Sequence, residues 1–234
     1  MRAAPKTIAP ADRKALQRQL KLEADSGRVI PLRNRALFLL TWSSALRLSE
    51  VLALSIGQVL DVATVAAPRS LAGKVRWRVR SSTYVKVSQA KGGKVVDANG
   101  RGASVRTWTS AGTVVIPARA RRAIGAYVRA AVKVGALQLA AGDAPLWVQP
   151  STGRQLQPRT IQYQWTGLQR RAGCSELYHF HCLRHDALTR FAAACGGQVF
   201  QVAAFGRCDP YTAQRYVHVE PRRLAAFADK AESL

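Results

Sequence analysis

The chain has 234 residues, enough for one large domain or two small ones with a buried core, and its 48% apolar and 21% charged residues exclude a disordered tail. Its 36 Lys and Arg against 13 Asp and Glu leave a net charge of +23. Such a surplus repels itself unless an anion lies against it, and a nucleic-acid backbone is the commonest such partner.

Ala11 to Ala24 reads as a helix with Leu16, Leu20 and Ala24 on one stripe, and Gly27 to Pro31 breaks it. Met1-Arg-Ala-Ala-Pro lacks the apolar core of an export signal, which predicts a cytoplasmic protein. Arg33 to Ala45 is a second helix, with Leu37, Leu40 and Trp42 among its apolar positions. Leu48 to Leu54 is a short third one that starts near Ser49 as a cap.

The period then changes to two. Lys74-Val-Arg-Trp-Arg-Val-Arg alternates basic and apolar residues, the pattern of a half-buried strand with Arg76, Arg78 and Arg80 on its outer face. Tyr84-Val-Lys-Val, with Lys86, can continue that sheet, and Thr113-Val-Val-Ile-Pro adds another strand. Between them Lys91-Gly-Gly-Lys94 and Asp97-Ala-Asn-Gly-Arg-Gly are turn-like. Helices return at Ala118 to Val134, Pro158 to Ala172 and Leu183 to Ala194, followed by two short ones. The sum is α+β: helices around one small basic antiparallel sheet spanning residues 74–117.

Between Gly27 and Ser175 stand 23 basic residues and four acidic ones, Glu50, Asp61, Asp97 and Asp143. An ordinary solvated surface mixes the two signs, so this stretch reads as a face built for phosphate, with Arg76, Arg78, Arg80, Lys86 and Lys94 as its DNA-binding candidates. An anionic membrane is the rival partner. Against it, no apolar run approaches about 18 residues and no basic amphipathic helix carries an aromatic face. Cys174, Cys182, Cys195 and Cys208 form no C-x-x-C pair and read as free thiols; Cys182 with His181 or His185 lacks the spacing of a zinc site.

Three islands stand out. The first is Ala45-Leu-Arg-Leu-Ser-Glu-Val-Leu-Ala-Leu, with Arg47 between apolar neighbours. The second is His181-Cys-Leu-Arg-His185, where His181 and Arg184 project to one side of a helix start, a set suited to holding an anion and moving a proton. The third runs from Phe205 through Arg207 to Tyr216-Val-His.

In order and wording these islands resemble the tyrosine recombinases, the phage integrase family, whose fingerprint is Arg, a Lys on a β-turn, His-x-x-Arg, His or Trp, then Tyr. Arg47 matches the first Arg, inside an L-R-x-S-E-L-x-x-L phrase. His181 and Arg184 match the His-x-x-Arg box, His185 is its customary extra His, and Tyr216 matches the nucleophile. The intervals agree as well: 35 residues from His181 to Tyr216, and nine from Arg207 to Tyr216. Lys91 resembles the hairpin lysine. The resemblance runs from about Arg33 to about Phe227.

It implies phosphoryl transfer without a metal or cofactor, on double-stranded DNA, by a homo-oligomer. Arg47 and Arg184 would hold the non-bridging oxygens with charge-assisted forks. Tyr216 would attack to leave a 3′-phosphotyrosyl link and a free 5′-hydroxyl, which keeps the bond energy for resealing. A tyrosine with an ordinary pKa near 10 needs a base and a cationic field, and His181 is the base candidate. Lys91 would protonate the departing oxygen. No carboxylate cluster suited to magnesium accompanies these residues. Glu50 reads as structural, orienting Arg47, and His185 as a support behind the site.

The chain departs from the pattern in three places. Arg207 stands where the family has His or Trp; it keeps a donor for phosphate but lacks a stiff ring, so a loose, slow site is expected, one that a His at 207 would speed. The loop after Lys91 is lengthened by the Val95 to Ala111 stretch, which makes Lys86 and Lys94 rivals for the lysine role. About 32 residues precede the catalytic region, too few for the family's N-terminal clamp. The expected layout is an N-terminal helical extension over residues 1–32 and a catalytic domain over 33–234. The other readings are a DNA-binding regulator that has lost catalysis, for which Arg207 is the hint, and an unrelated RNA binder. The latter would expose aromatics on its basic strands, whereas Trp77 falls opposite the arginines.

Overall fold

Pro10 opens helix α1 (Pro10–Ala24) at a position where its missing N–H would have no partner anyway, and Asp12, Leu16, Leu20 and Ala24 form the buried stripe four residues apart. The computed structural model describes residues 6–64, 75–91 and 106–217; at 63, 64, 75, 86–91 and 106–110 it describes the backbone alone. Helix α2 (Val29–Ser44) is buried almost all round from Arg33 onward, as a central helix must be. It begins earlier than its periodicity predicts. Pro31 sits in the first turn, where a proline is tolerated, so the break is made by Gly27 at φ 70.

Around α2 pack α1, α5 (Ala118–Lys133) and α7 (His181–Ala194). Phe38 of α2 meets Trp165 of α6 (Pro158–Ala172) edge to face at 5.3 Å, and Leu37, Leu40, Ile124, Val128 and Leu168 fill the same core. Helix α1 belongs to that core too, so the helix read as an N-terminal extension is packed together with the region that begins at 33. It is also tied by polar contacts. The buried Asp12 carboxylate accepts from Ser175 N at 3.0 Å, Ser175 Oγ at 2.7 Å and the Tyr178 hydroxyl at 2.8 Å, which lowers its pKa.

The single sheet expected over 74–117 is two separate antiparallel pairs among the described residues. Strand β1 (Leu60–Thr64) pairs with β2 (Val75–Val79), and β3 (Ser82–Lys91) pairs with β4 (Arg106–Val115). The chain turns at Arg80–Ser81, so β3 leaves β2 and takes β4 instead. Strand β1 escaped the sequence because Leu-Asp-Val-Ala-Thr carries no strict alternation. On β2 the alternation holds: Trp77 and Val79 pack on the core while Arg76, Arg78 and Arg80 are exposed. Strand β4 starts at Arg106, so the later part of the predicted loop is strand, while 92–105, with Lys94, lie outside the described residues.

Short helices α3 (Leu48–Leu52) and α4 (Ile56–Val59) follow α2, and α8 (Val199–Gly206) and α9 (Pro210–Gln214) follow α7. Helix α7 begins at His181, two residues before the stretch read from sequence, which places His181, Arg184 and His185 on its first turns. Among the described residues no helix is long and apolar enough to cross a membrane.

Candidate active site

Helix α2 ends on Ala45 in the left-handed conformation (φ 50, ψ 35), and the chain turns back at once into α3 with Arg47 as its N-cap. A non-glycine residue pays for that conformation with strain and keeps it only where its surroundings hold it. Here the surroundings are two arginines. Arg184 donates through Nη1 to the Ala45 carbonyl and through Nη2 to the Gly206 carbonyl at 2.5 Å. Arg207 donates through Nη2 to the same Ala45 carbonyl at 2.8 Å and through Nη1 to the Phe205 carbonyl at 2.9 Å. Both cations thus sit at the negative ends of α2 and α8.

Glu50, fully buried, lies at the centre of these charges. It accepts from the Arg47 backbone N–H at 2.8 Å, from Arg47 Nη1 at 2.6 Å and from Arg207 Nη2 at 3.0 Å, with Arg184 Nη1 at 4.0 Å. A carboxylate out of water needs such partners to offset its lost hydration. Burial, then the field of Arg47, lowers the Arg184 pKa to about 10, which leaves it a cation at neutral pH.

Tyr216 follows α9 and is 4% exposed, packed among Ala45, Ala187, Leu188, Val202 and Ala213. Its hydroxyl stands 2.6 Å from His185 Nδ1. By its motif, His181 is the base candidate expected beside Tyr216. The helix phase of α7 gives that place to His185, while His181 meets the His185 ring edge-on at 4.5 Å. Burial of the ring faces, then cationic and imidazole neighbours, lowers both histidines to about 4, although His181 as a residue remains exposed. Both are therefore neutral at pH 7. Burial also raises the Tyr216 pKa, against the lowering field of Arg184, Arg215 and Arg47. A neutral imidazole beside a protonated phenol is the pair a proton transfer needs.

An open cleft of about 1380 Å³ runs beside this cluster, lined by Ser44, Arg47, Gly112, His181, Arg207 and Cys208 among others. The buried Tyr216 is not among the residues that line it. Arg207, expected as a long and loose donor to phosphate, is instead fixed: its side chain is 2% exposed and bonded to carbonyls and Glu50. Lys91 ends β3 opposite Arg106; its side chain and that of Lys86 are outside the described residues, as is the whole of Lys94. Of the predicted DNA face, Arg78 and Arg80 pair with Asp61 at 2.9 and 3.0 Å, exposed ion pairs that cost little to exchange for phosphate.

Two features had no signal in the sequence. Asp186, next to His185, is buried and accepts from Arg13, Trp42 and Arg190, which links α1 to the turn carrying the histidines. The carbonyls of Ala45, Phe205 and Gly206 take up the arginines, and backbone acceptors leave no mark in a residue pattern.

The model of the phage integrase family matches residues 14–223 of the chain. Compared by sequence with curated proteins, the chain matches none. Among solved structures it is similar to the XerA recombinase (16% identity, TM-score 0.60, 99% of this chain and 65% of that one). It is also similar to the XerH site-specific recombinase bound to difH substrate in a pre-cleavage complex (14%, 0.62, 97% and 54%). A third is the Tn1549 transposon integrase in complex with transposon right end DNA (10%, 0.59, 97% and 67%). At these identities the likeness is one of fold, and the chain spans about 65% and 54% of the first two structures' length.

Proposed function

The chain belongs to the phage integrase family of tyrosine recombinases, and from that premise we propose that it cuts and rejoins double-stranded DNA through a covalent link to Tyr216. One observation carries the reading: the Tyr216 hydroxyl on a neutral imidazole, in one fold with a cluster in which Arg47, 20% exposed at an open cleft, is held by the buried Glu50 and Arg184 stands 4.0 Å from the same carboxylate. The XerH and Tn1549 structures hold DNA, which supports the same partner for this chain.

In the proposed reaction the scissile phosphate enters the cleft against Arg47 and Arg184, whose charge meets the growing charge on the non-bridging oxygens. The Tyr216 oxygen forms the bond to phosphorus and gives its proton to an imidazole; His185 holds it and His181 lines the cleft beside it. The bond to the 5′-oxygen breaks, and Lys91 gives that oxygen a proton. Attack of a second 5′-hydroxyl reverses the steps and frees Tyr216. With the tyrosine 4% exposed, its segment turns outward when DNA binds. The cycle runs in a homo-oligomer on DNA, where two duplexes exchange strands.

The test is incubation with nicked suicide duplexes cut from the DNA flanking the protein's own gene. A covalent protein–DNA band that resists denaturant supports the reading. The buried Tyr216 and the inward-turned Arg207 favour one second reading, a DNA-binding regulator on the same fold. Binding of those duplexes with no adduct decides for it.

A further inference from the structure

Arg207 is the C-cap of α8 and shares with Ala45 the left-handed backbone (φ 50, ψ 50). Among the described residues these are the two non-glycine positions with positive φ, and they are joined directly: the guanidinium of one donates to the carbonyl of the other at 2.8 Å. Strained positions that brace each other mark a site whose geometry is held on purpose. Four segments converge on this one side chain. Nη2 takes the end of α2 (Ala45) and the buried Glu50 of α3; Nη1 takes Phe205 of α8 and, at 3.5 Å, Ser44. The aliphatic stem fills the space above Gly112 of β4, where a Cβ would come within 3.0 Å of Arg207 Cγ. Gly112, at φ 154, leaves room for that stem as no other residue would.

Resting on the proposed recombinase reading, we infer that Arg207 is a positioning residue. It does not bind the phosphate. It fixes the α2–α3 corner that carries Arg47, the β3–β4 pair and the α8–α9 corner that leads to Tyr216 relative to one another. The geometry leaves it little choice. The side chain is 2% exposed, and its two terminal nitrogens are spent on three carbonyls and a carboxylate. A guanidinium is the side chain that can span so many acceptors from one planar group. A lysine reaches one or two of them, and a histidine at the end of a shorter stem cannot cover both Glu50 and the carbonyls. The tightening expected of a His at 207 therefore reverses: Arg207→His is slower.

Two measurements on the full chain test this. The first compares single-turnover adduct formation by wild type, Arg207→Lys and Arg207→Gln on nicked suicide duplexes from the flanking DNA, with either a phosphodiester or a neutral methylphosphonate at the scissile position. A misplacement of about 1 Å costs on the order of a hundredfold, so Gln is expected to lose about a hundredfold and Lys about tenfold. Much of each loss persists on the methylphosphonate, because the corner that leads to Tyr216 is displaced whatever charge the phosphorus carries, and only the part that runs through a shifted Arg47 shrinks. A loss that vanishes on the methylphosphonate means that Arg207 acts through phosphate charge alone, and overturns the inference. The second is amide hydrogen exchange of the free protein. Arg207→Gln should speed exchange both in 46–52 and in 208–217, with Arg184 left as the remaining brace between the Ala45 and Gly206 carbonyls. Unchanged exchange in 46–52 overturns the inference even if no form of the protein makes an adduct, an outcome that by itself removes only the recombinase reading.

Discussion

The Tyr216 hydroxyl and His185 Nδ1 lie 2.6 Å apart between a buried tyrosine and a half-buried imidazole, 31 residues distant in sequence and in direct contact in the fold. That contact gives the hydroxyl two separable roles. As the proposed nucleophile, its loss in Tyr216→Phe is expected to abolish the covalent adduct while DNA affinity stays within about twofold, since one oxygen adds little to an interface dominated by phosphate contacts. As a hydrogen-bond partner, its loss leaves a buried ring nitrogen unpaired and costs about 1 kcal/mol of stability. Gel assay and urea denaturation of the same variant read the two. An adduct that persists moves the nucleophile, with Tyr211 on α9, 81% exposed, the next candidate.

Stability should depend on pH through the two imidazoles. Both are lowered from 6.5 to about 4 in the fold, by burial first. Between those values the unfolded chain binds protons that the folded chain does not, so stability is full above about pH 6.5 and falls as pH drops toward 4. His185→Asn should flatten the drop. The half-buried His185 accounts for on the order of 1–2 kcal/mol of it after allowance for solvent, and the exposed His181 for less. Urea midpoints measured from pH 4.5 to 7.5 check this; a wild-type curve already flat across that range would mean that the imidazoles titrate normally.

DNA affinity should fall steeply with salt. A net charge of +23 with Arg76 and Arg78 exposed on β2 and Arg80 exposed just after it supplies contacts that release condensed counterions. On the order of eight phosphate contacts give a log–log slope near −7. Filter binding between about 50 and 200 mM salt measures it, and a slope shallower than about −2 would mean that the charge serves something other than DNA.

Cleavage should survive EDTA. In the proposed chemistry arginines carry the phosphate charge, and a lysine and an imidazole carry the protons, so chelation removes nothing from the site. Activity that vanishes in EDTA and returns with added magnesium contradicts the mechanism.

Much of this was legible before any coordinates. Arg47, His181, Arg184 and Tyr216 stand in short phrases whose order is informative, and the helices follow their apolar period. What the sequence could not carry was rotation. His181 and His185 sit one turn apart on α7, and only the packing of the helix against the segment that carries Tyr216 decides which imidazole meets it. Arg207 was legible as a residue type but not as a rotamer; its acceptors are mainly carbonyls at two helix ends, invisible in a pattern of side chains. The sheet was misjudged for a related reason. A period of two announces a strand but not its partner, and β2 found β1 rather than β3.

Asp186, the neighbour of His185, reads in sequence as a lone acid in a helix and in the fold joins three elements. Its carboxylate is 1% exposed and accepts from Arg13 Nη2 at 2.7 Å, Trp42 Nε1 at 2.5 Å and Arg190 Nε at 2.8 Å, so three elements, α1, α2 and α7, meet on two oxygens. Asp186→Asn keeps the shape, removes the charge and turns an NH₂ toward one of three donors. Breaking a buried pair from one side leaves its partners uncompensated, and a loss of about 2–4 kcal/mol is expected. Arg190→Ala should cost less, under about 1 kcal/mol, because its side chain is 44% exposed and much of that attraction is screened. Arg13→Ala falls between, its side chain being 28% exposed. Trp42 reports the change, since its indole N–H loses a carboxylate partner in Asp186→Asn, whereas Arg190→Ala removes a cation 6.0 Å from its ring. If Asp186→Asn unfolds at the wild-type urea midpoint, α1 is held by its apolar stripe and the Asp12 contacts, and the polar link from the N-terminal helix to the histidine turn carries no weight.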